Sequence, residues 1–108
     1  MLHKLQKKFT KKHCLFKQVG SGFGWYIYKV YIPNEDKDAQ KYSIHYEYFR
    51  IKTRVETIDF TNRIVGDTYE EYPWDEAFGA WAWCCTSLEY ALKDIQRKDK
   101  LKSKFAMW

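Results

Sequence analysis

The stretch WYIYKVYI at residues 25–32 decides the fold, because it is densest in β-branched and aromatic residues. Such residues favour extended backbone, so the stretch predicts a strand. Successive side chains of a strand point to opposite faces. One face would hold Tyr26, Tyr28, Val30 and Ile32, and the other Trp25, Ile27, Lys29 and Tyr31. Because the second set contains a lysine, we expect it to be the outer set.

On the N-terminal side of this strand, the sequence predicts a hairpin. Residues 13–19 have the pattern of a short strand, and GSGFG follows at 20–24. A phosphate-binding loop with G-x-G steps should open a helix, but here a strand follows, so we interpret 20–24 as a hairpin connection. Residues 1–12 carry apolar side chains at helical spacing among lysines. A short amphipathic helix and a solvated arm are the two alternatives for this segment.

On the C-terminal side, an acidic turn at 33–38 precedes a second alternating region between Lys41 and Phe60. The apolar residues of this region change face near Tyr48 and Phe49, which indicates a bulge or a bend. We interpret the region as one long bent strand or as two strands, the second near 54–60. Residues 62–73 are then a predicted loop.

The C-terminal third predicts a helix. Its apolar residues recur at intervals of three and four, at Phe78, Trp81, Cys85, Leu88, Leu92 and Ile95. Pro73 precedes this stripe and Asp75 is a suitable N-cap residue. Strands followed by one helix predict the α+β class, with a small antiparallel sheet of three to five strands packed against one long C-terminal helix.

The chain has two basic ends. Residues 1–17 contain six lysines and no acid, and residues 93–108 contain six basic residues and two acids, whereas the net charge of all 108 residues is only +5. Clustered lysines create a strong local potential. At this length the sequence predicts a single domain over 1–108, with a basic arm at about 1–12 and a basic tail at about 99–108.

This charge distribution predicts a polyanionic partner: nucleic acid, RNA in preference to DNA, or a nucleoprotein. Lysines near exposed aromatic rings suit binding in which cations hold phosphates and rings stack on bases. The candidate binding residues are Lys4, Lys7, Lys8, Lys11, Lys12, Lys17, Trp25, Tyr31, Arg97, Lys98, Lys100, Lys102 and Lys104. Solubility is the alternative explanation for the charged ends, and mimicry of nucleic-acid charge is an alternative use of the acids in the middle.

Catalytic and metal chemistry have little support in the sequence. The three histidines share no metal-ligand spacing with the three cysteines, so we expect no metal and no cofactor. No constellation of catalytic residues is visible, and we expect a protein that is not an enzyme. The enzymatic alternatives are a nucleophile at Cys84 served by His13 or His45, and a carboxylate site at Glu56 and Asp59.

Cysteine usage and hydropathy predict a cytoplasmic protein with no membrane partner. The cysteine count is odd, and Cys84 and Cys85 are adjacent in the predicted helix, which favours reduced thiols. No apolar run approaches the roughly 18 residues of a membrane-spanning helix, and none follows the first lysines as in a secretory signal. Aromatic residues make up 19% of the chain, so some rings should be exposed. A homo-oligomer is an alternative partner for them.

The block YPWDEAFGAWAWC at 72–84, running into LEYAL at 88–92, resembles a segment of small uncharacterised proteins carried by phages and mobile elements. Small size, one α+β domain and mixed charge blocks are also similar to anti-CRISPR proteins as a class. This resemblance implies a stoichiometric inhibitor in a bacterial host cell that engages an RNA-guided nuclease or its guide RNA. A general RNA- or DNA-binding module and a small enzyme are the two alternatives.

Overall fold

The computed structural model describes residues 2–33, 42–59, 64–99 and 106–107, with side chains over 2–33, 42–55 and 66–99. In chain order its elements are β1 (Leu2–His3), β2 (Lys8–Lys11), β3 (Cys14–Gly22), β4 (Trp25–Pro33), β5 (Tyr42–Arg50), β6 (Thr53–Asp59), β7 (Ile64–Glu70), β8 (Ala82–Cys85), α1 (Leu88–Asp99) and β9 (Ala106–Met107). Two sheets and one helix among these residues confirm the predicted α+β class. No helix in the described ranges has the length and hydropathy needed to cross a bilayer.

The larger sheet is antiparallel and has the strand order β2-β3-β4-β5-β8, with β9 added beside β3. Strand β4 lies at the centre of this order and confirms the strand predicted at 25–32. Strand β3 ends in a two-residue turn at Phe23 and Gly24, with φ of 53° and 83°. A two-residue hairpin turn with both φ values positive matches the twist of the strands it joins. The predicted hairpin at 20–24 is therefore confirmed, although β3 continues through the first glycines.

The smaller sheet has the order β1-β7-β6, with β1 parallel to β7. Two predictions are wrong. Residues 64–70 form a strand rather than a loop, and the first residues form β1 in this sheet and β2 in the larger sheet rather than a helix or a free arm. The N-terminal segment is held by long-range contacts: Leu5 N–H donates to Glu70 at 2.9 Å, and Tyr28 Oη donates to the Gln6 carbonyl at 2.8 Å. These partners are distant in sequence, so local spacing does not reveal them.

Both faces of β4 are buried. On one face Trp25 and Ile27 pack with Tyr48 of β5 and with Ala91 and Ile95 of α1. On the other face Tyr26, Tyr28 and Val30 belong to a second cluster with Phe16, Phe49, Ala77, Trp81 and Ala82. The prediction that Trp25 and Ile27 face outward is wrong, because the helix covers them. Only the Lys29 and Tyr31 end of that set reaches solvent.

The C-terminal helix is shorter than predicted. It begins at Leu88, where the Ser87 hydroxyl accepts the Tyr90 N–H at 3.3 Å, whereas Asp75 begins a three-residue 3₁₀ helix. Residues 82–85 form β8, which pairs with β5 and places Cys84 and Cys85 on opposite faces. The apolar spacing of 78–85 matches a helix by coincidence. Pairing with β5 decides the structure there, and that pairing is non-local.

Two carboxylates, a buried one at Asp94 and a half-buried one at Asp99, fix α1 to the sheet. Asp94 accepts hydrogen bonds from Tyr48 Oη at 2.6 Å and from Arg97, and it lies 3.4 Å from Lys98 Nζ. At the helix end, Asp99 accepts the Trp25 indole N–H and pairs with Arg50 Nη2 at 2.6 Å. Burial alone would raise the pKa of Asp94, but Tyr48, Arg97 and Lys98 bring it below its ordinary value. The Arg50 hydrogen bond likewise lowers the pKa of Asp99.

These two carboxylates predict loss of stability in acid. A carboxylate with a folded-state pKa below its unfolded value stabilises the fold above the unfolded pKa, near 4 for Asp. That stabilisation is lost as the pH falls through the folded-state value. We expect the free energy of unfolding, measured by urea titration at a series of pH values, to fall below about pH 4. In an Asp94→Asn/Asp99→Asn variant the decline should be shallower, and an equal decline in both proteins would contradict the assignment.

Candidate nucleic-acid interface

Helix α1 covers only part of its side of the larger sheet and leaves one surface exposed. Two rows of side chains cross this surface. In the first row, Lys8 is opposite Lys17 and Lys17 is opposite Lys29. The next row consists of Thr10, Leu15, Tyr31 and Ile44. Tyr42 extends the surface two residues before Ile44 on the same strand. We call this set of eight residues the open face: Lys8, Thr10, Leu15, Lys17, Lys29, Tyr31, Tyr42 and Ile44.

The lysine row consists of three cations on neighbouring strands. Adjacent strands lie about 4.8 Å apart, so the ammonium groups can reach a common region of solvent. Like charges directly opposite one another destabilise a sheet. None of the eight residues of the open face is acidic, so no carboxylate within this set offsets the repulsion. A bound anion would relieve this repulsion, which makes the row a suitable phosphate contact.

The aromatic part of the open face lies beside the lysine row. Tyr42 is 52% exposed and Ile44 is 43% exposed, both high values for large apolar side chains within a sheet. The rings of Tyr31 and Tyr42 meet edge to face with centroids 6.3 Å apart. Lys29 Nζ lies 5.1 Å from the centre of the Tyr31 ring, within range of a cation–π interaction. This contact orients Tyr31 and leaves Tyr42 as the more accessible ring.

The structure brings together three of the predicted binding residues, Lys8, Lys17 and Tyr31. Lys11 lies on the opposite face of the β2–β3 hairpin, Lys12 lies in its turn, and Lys4 and Lys7 lie between β1 and β2. Sequence reasoning missed Lys29, Tyr42 and Ile44 as members of the site. The alternation of 25–32 and 42–48 carried a signal for them, but only strand register aligns them with Lys17.

Trp25 is not part of an exposed surface. Its side chain has no exposed area, its indole N–H donates to Asp99, and the Arg50 guanidinium carbon lies 4.5 Å from its ring centre. A ring enclosed in this way has no face on which a base could stack. The candidate role of Trp25 in partner binding is therefore incompatible with its position, and its role is structural.

The basic residues of α1 already have intramolecular partners. Arg97 and Lys98 both contact Asp94, and Lys98 Nζ lies 4.3 Å from the Trp83 ring centre. Their charges compensate a buried carboxylate, so they contribute less free charge to a polyanion site than the sequence indicates. Lys100, Lys102 and Lys104 lie outside the described residues, and their predicted role stays a prediction.

Neither enzymatic alternative is supported by an arrangement of side chains among the described residues. Cys84 lies opposite Glu47 on the neighbouring strand, and Glu47 is hydrogen-bonded to His45 at 2.8 Å, but nothing in the described ranges joins Cys84 to a histidine. Burial raises the pKa of Cys85, which disfavours its thiolate. The side chains of Glu56 and Asp59 lie outside the described residues. Across the described part of the chain, no three His, Cys, Asp or Glu side chains are grouped as metal ligands.

Comparison with known proteins does not assign this chain to a family. No family model, no curated protein and no solved structure matches it. The expected kinship with phage proteins and anti-CRISPR inhibitors therefore stays a prediction.

Proposed function

We propose that this protein is a non-enzymatic nucleic-acid-binding protein that holds single-stranded RNA on its open face. The observation that carries this proposal is the row of Lys8, Lys17 and Lys29 beside the half-buried ring of Tyr31 and the exposed ring of Tyr42. Cations that contact phosphates beside rings that stack on bases are the usual means of binding single strands.

Single-stranded RNA suits this surface better than a duplex does. Bases in a duplex are stacked on each other and unavailable to tyrosine rings, whereas unpaired bases can be splayed onto a sheet. The open face is part of a sheet and offers no helix to enter a major groove. Single-stranded DNA is the nearest alternative ligand, because stacking and phosphate contacts do not require the 2′-hydroxyl.

A narrower form of the proposal is an inhibitor that engages an RNA-guided nuclease through its guide RNA. The resemblance to phage proteins motivates this form, and the open face supplies a surface for exposed guide nucleotides. Such an inhibitor should act at near one-to-one stoichiometry and show no turnover. We propose the bacterial cytoplasm as its compartment, where the three free thiols would stay reduced.

The lysine row can be tested through salt dependence. Changing Lys8, Lys17 and Lys29 together to glutamine should weaken binding to a short single-stranded RNA. Each phosphate contact contributes about 0.7 to the slope of log affinity against log salt, so loss of three contacts should reduce the slope by about 2. Fluorescence anisotropy between about 50 and 200 mM salt measures this slope.

The matched control removes the same number of charges elsewhere. Lys52, Arg54 and Lys93 lie outside the open face and are all exposed. Arg54 pairs with Glu71 and Lys93 pairs with Glu89, and the combined change of the three to glutamine lowers net charge equally. We expect this control to retain most of the wild-type slope. Equal losses in the two triple variants would mean that net charge rather than the open face governs binding, and no RNA binding by the wild type would remove the proposal.

A further inference from the structure

A cleft lies on the other side of the β2–β3 hairpin from the open face. It is bounded by the tip of that hairpin and by residues 72–78, and its volume is about 140 Å³. An engineered protein cavity of roughly 150 Å³ binds benzene. The cleft therefore has room for one six-membered ring, with the rest of a ligand lying at its mouth.

The charged groups around the cleft are available to a ligand. Lys11, Lys12 and Asp75 are among the residues that line it. Within the described ranges, none of these three side chains forms an ion pair or a side-chain hydrogen bond. A cleft whose lining includes both cations and a carboxylate suits a ligand that carries both an anion and N–H donors.

The remaining lining consists of apolar and aromatic side chains and one further carboxylate. Phe16 and Phe78 supply ring surfaces, and Phe16 is stacked on Phe9 with centroids 4.9 Å apart. Glu47 also lines the cleft, but its carboxylate is already occupied by Tyr72 Oη at 2.7 Å and by His45 at 2.8 Å. Of the two carboxylates in the lining, Asp75 is consequently the one whose oxygens accept no side-chain hydrogen bond from the described residues.

We propose that this cleft binds a guanosine monophosphate group. The six-membered ring of guanine lies in the cleft against Phe16 and Phe78, where its N1–H and N2–H donate to the two oxygens of Asp75. The five-membered ring and the ribose lie at the mouth, and the phosphate contacts Lys11 and Lys12. Guanine is the base whose adjacent donors match a carboxylate in this way, whereas adenine presents an acceptor at N1. The group can come from a free nucleotide or from the end of an RNA strand. This site is independent of the open face.

Calorimetric titration with GMP, IMP, AMP and inorganic phosphate tests the site. IMP differs from GMP only by the amine at C2, and loss of one hydrogen bond to a charged group should weaken binding about tenfold. We expect GMP to bind more tightly than IMP, AMP or phosphate. Asp75→Asn should weaken GMP binding about tenfold or more and reduce the preference over AMP, because an amide offers only one acceptor oxygen. Lys11→Gln/Lys12→Gln should weaken binding of all three nucleotides alike.

Matched variants separate this result from general charge effects. Glu76 is an exposed acid next to Asp75 and does not line the cleft, so Glu76→Gln should leave GMP binding unchanged. A 5′-phosphorylated RNA beginning with guanosine, compared with GMP, shows whether the natural source is a strand end or a free nucleotide. Absence of GMP binding, or equal effects of Asp75→Asn and Glu76→Gln, would overturn the proposal. Neither outcome bears on the open face, whose lysines take no part here.

Discussion

Replacement of Trp25 with alanine is expected to lower the free energy of unfolding by about 3–5 kcal/mol, the usual cost of removing a large buried ring. The side chain is fully buried between the sheet and α1. Its loss also removes the indole N–H donor of Asp99 and the ring beneath Arg50. Most domains of this size are stable by only about 5–15 kcal/mol, so the variant should be close to unfolding at ambient temperature. Urea titration followed by far-ultraviolet circular dichroism measures the change.

Trp25→Phe is the control for this prediction. It keeps a ring in the core but removes the N–H, so it should cost less than the alanine variant. The difference tests whether burial or the Asp99 hydrogen bond dominates. A Trp25→Ala protein that is as stable as the wild type but no longer binds RNA would show that Trp25 is a surface stacking residue after all.

The second large effect concerns RNA binding. Tyr42→Ala should weaken binding of single-stranded RNA by about 5- to 150-fold, because a base stacked on an aromatic ring contributes about 1–3 kcal/mol. Unlike the loss of the lysines, this change removes no charge. The slope of log affinity against log salt should therefore stay at the wild-type value while affinity falls equally at all salt concentrations. The same anisotropy titration reports both quantities.

Two variants control for the loss of a tyrosine as such. Tyr42→Phe keeps the ring and should retain most of the affinity. Tyr90 on α1 has 53% exposure, close to that of Tyr42, and lies away from the open face, so Tyr90→Ala should have little effect. If Tyr42→Ala leaves RNA affinity intact and instead changes the sedimentation coefficient, the open face would be a contact between copies of this chain.

Local sequence patterns predicted the parts of the fold that depend on local preferences. The strand at 25–32 and the hairpin turn before it follow from β-branched residues and from glycine, whose preferences act over a few positions. The helix prediction was correct from Leu88 onward, where Ala91 and Ile95 pack on the sheet. It failed over 78–85, because pairing of β8 with β5 is a long-range interaction that overrides apolar spacing.

For the candidate site, the sequence predicts only the types of residue that take part. The chain's excess of lysine and aromatic residues indicated a polyanion partner, and Lys8, Lys17 and Tyr31 were among the candidates. Their assembly with Lys29 into one surface depends on the register between strands, which spacing along the chain does not determine. Trp25 was misassigned for the same reason, because a helix remote in sequence covers it.

The lysines of β2 have a second consequence, for self-association. Strand β2 pairs with β3 on one side, and in the described part of the chain no strand pairs with its other side. An unpaired edge invites strand addition from another molecule, and lysines on the edge oppose it by repulsion. A polyanion that neutralises Lys8 would weaken this protection. Neighbouring protein molecules bound to the same RNA strand could then pair through their β2 edges, so RNA binding would promote a self-association that the lysines oppose in the free protein.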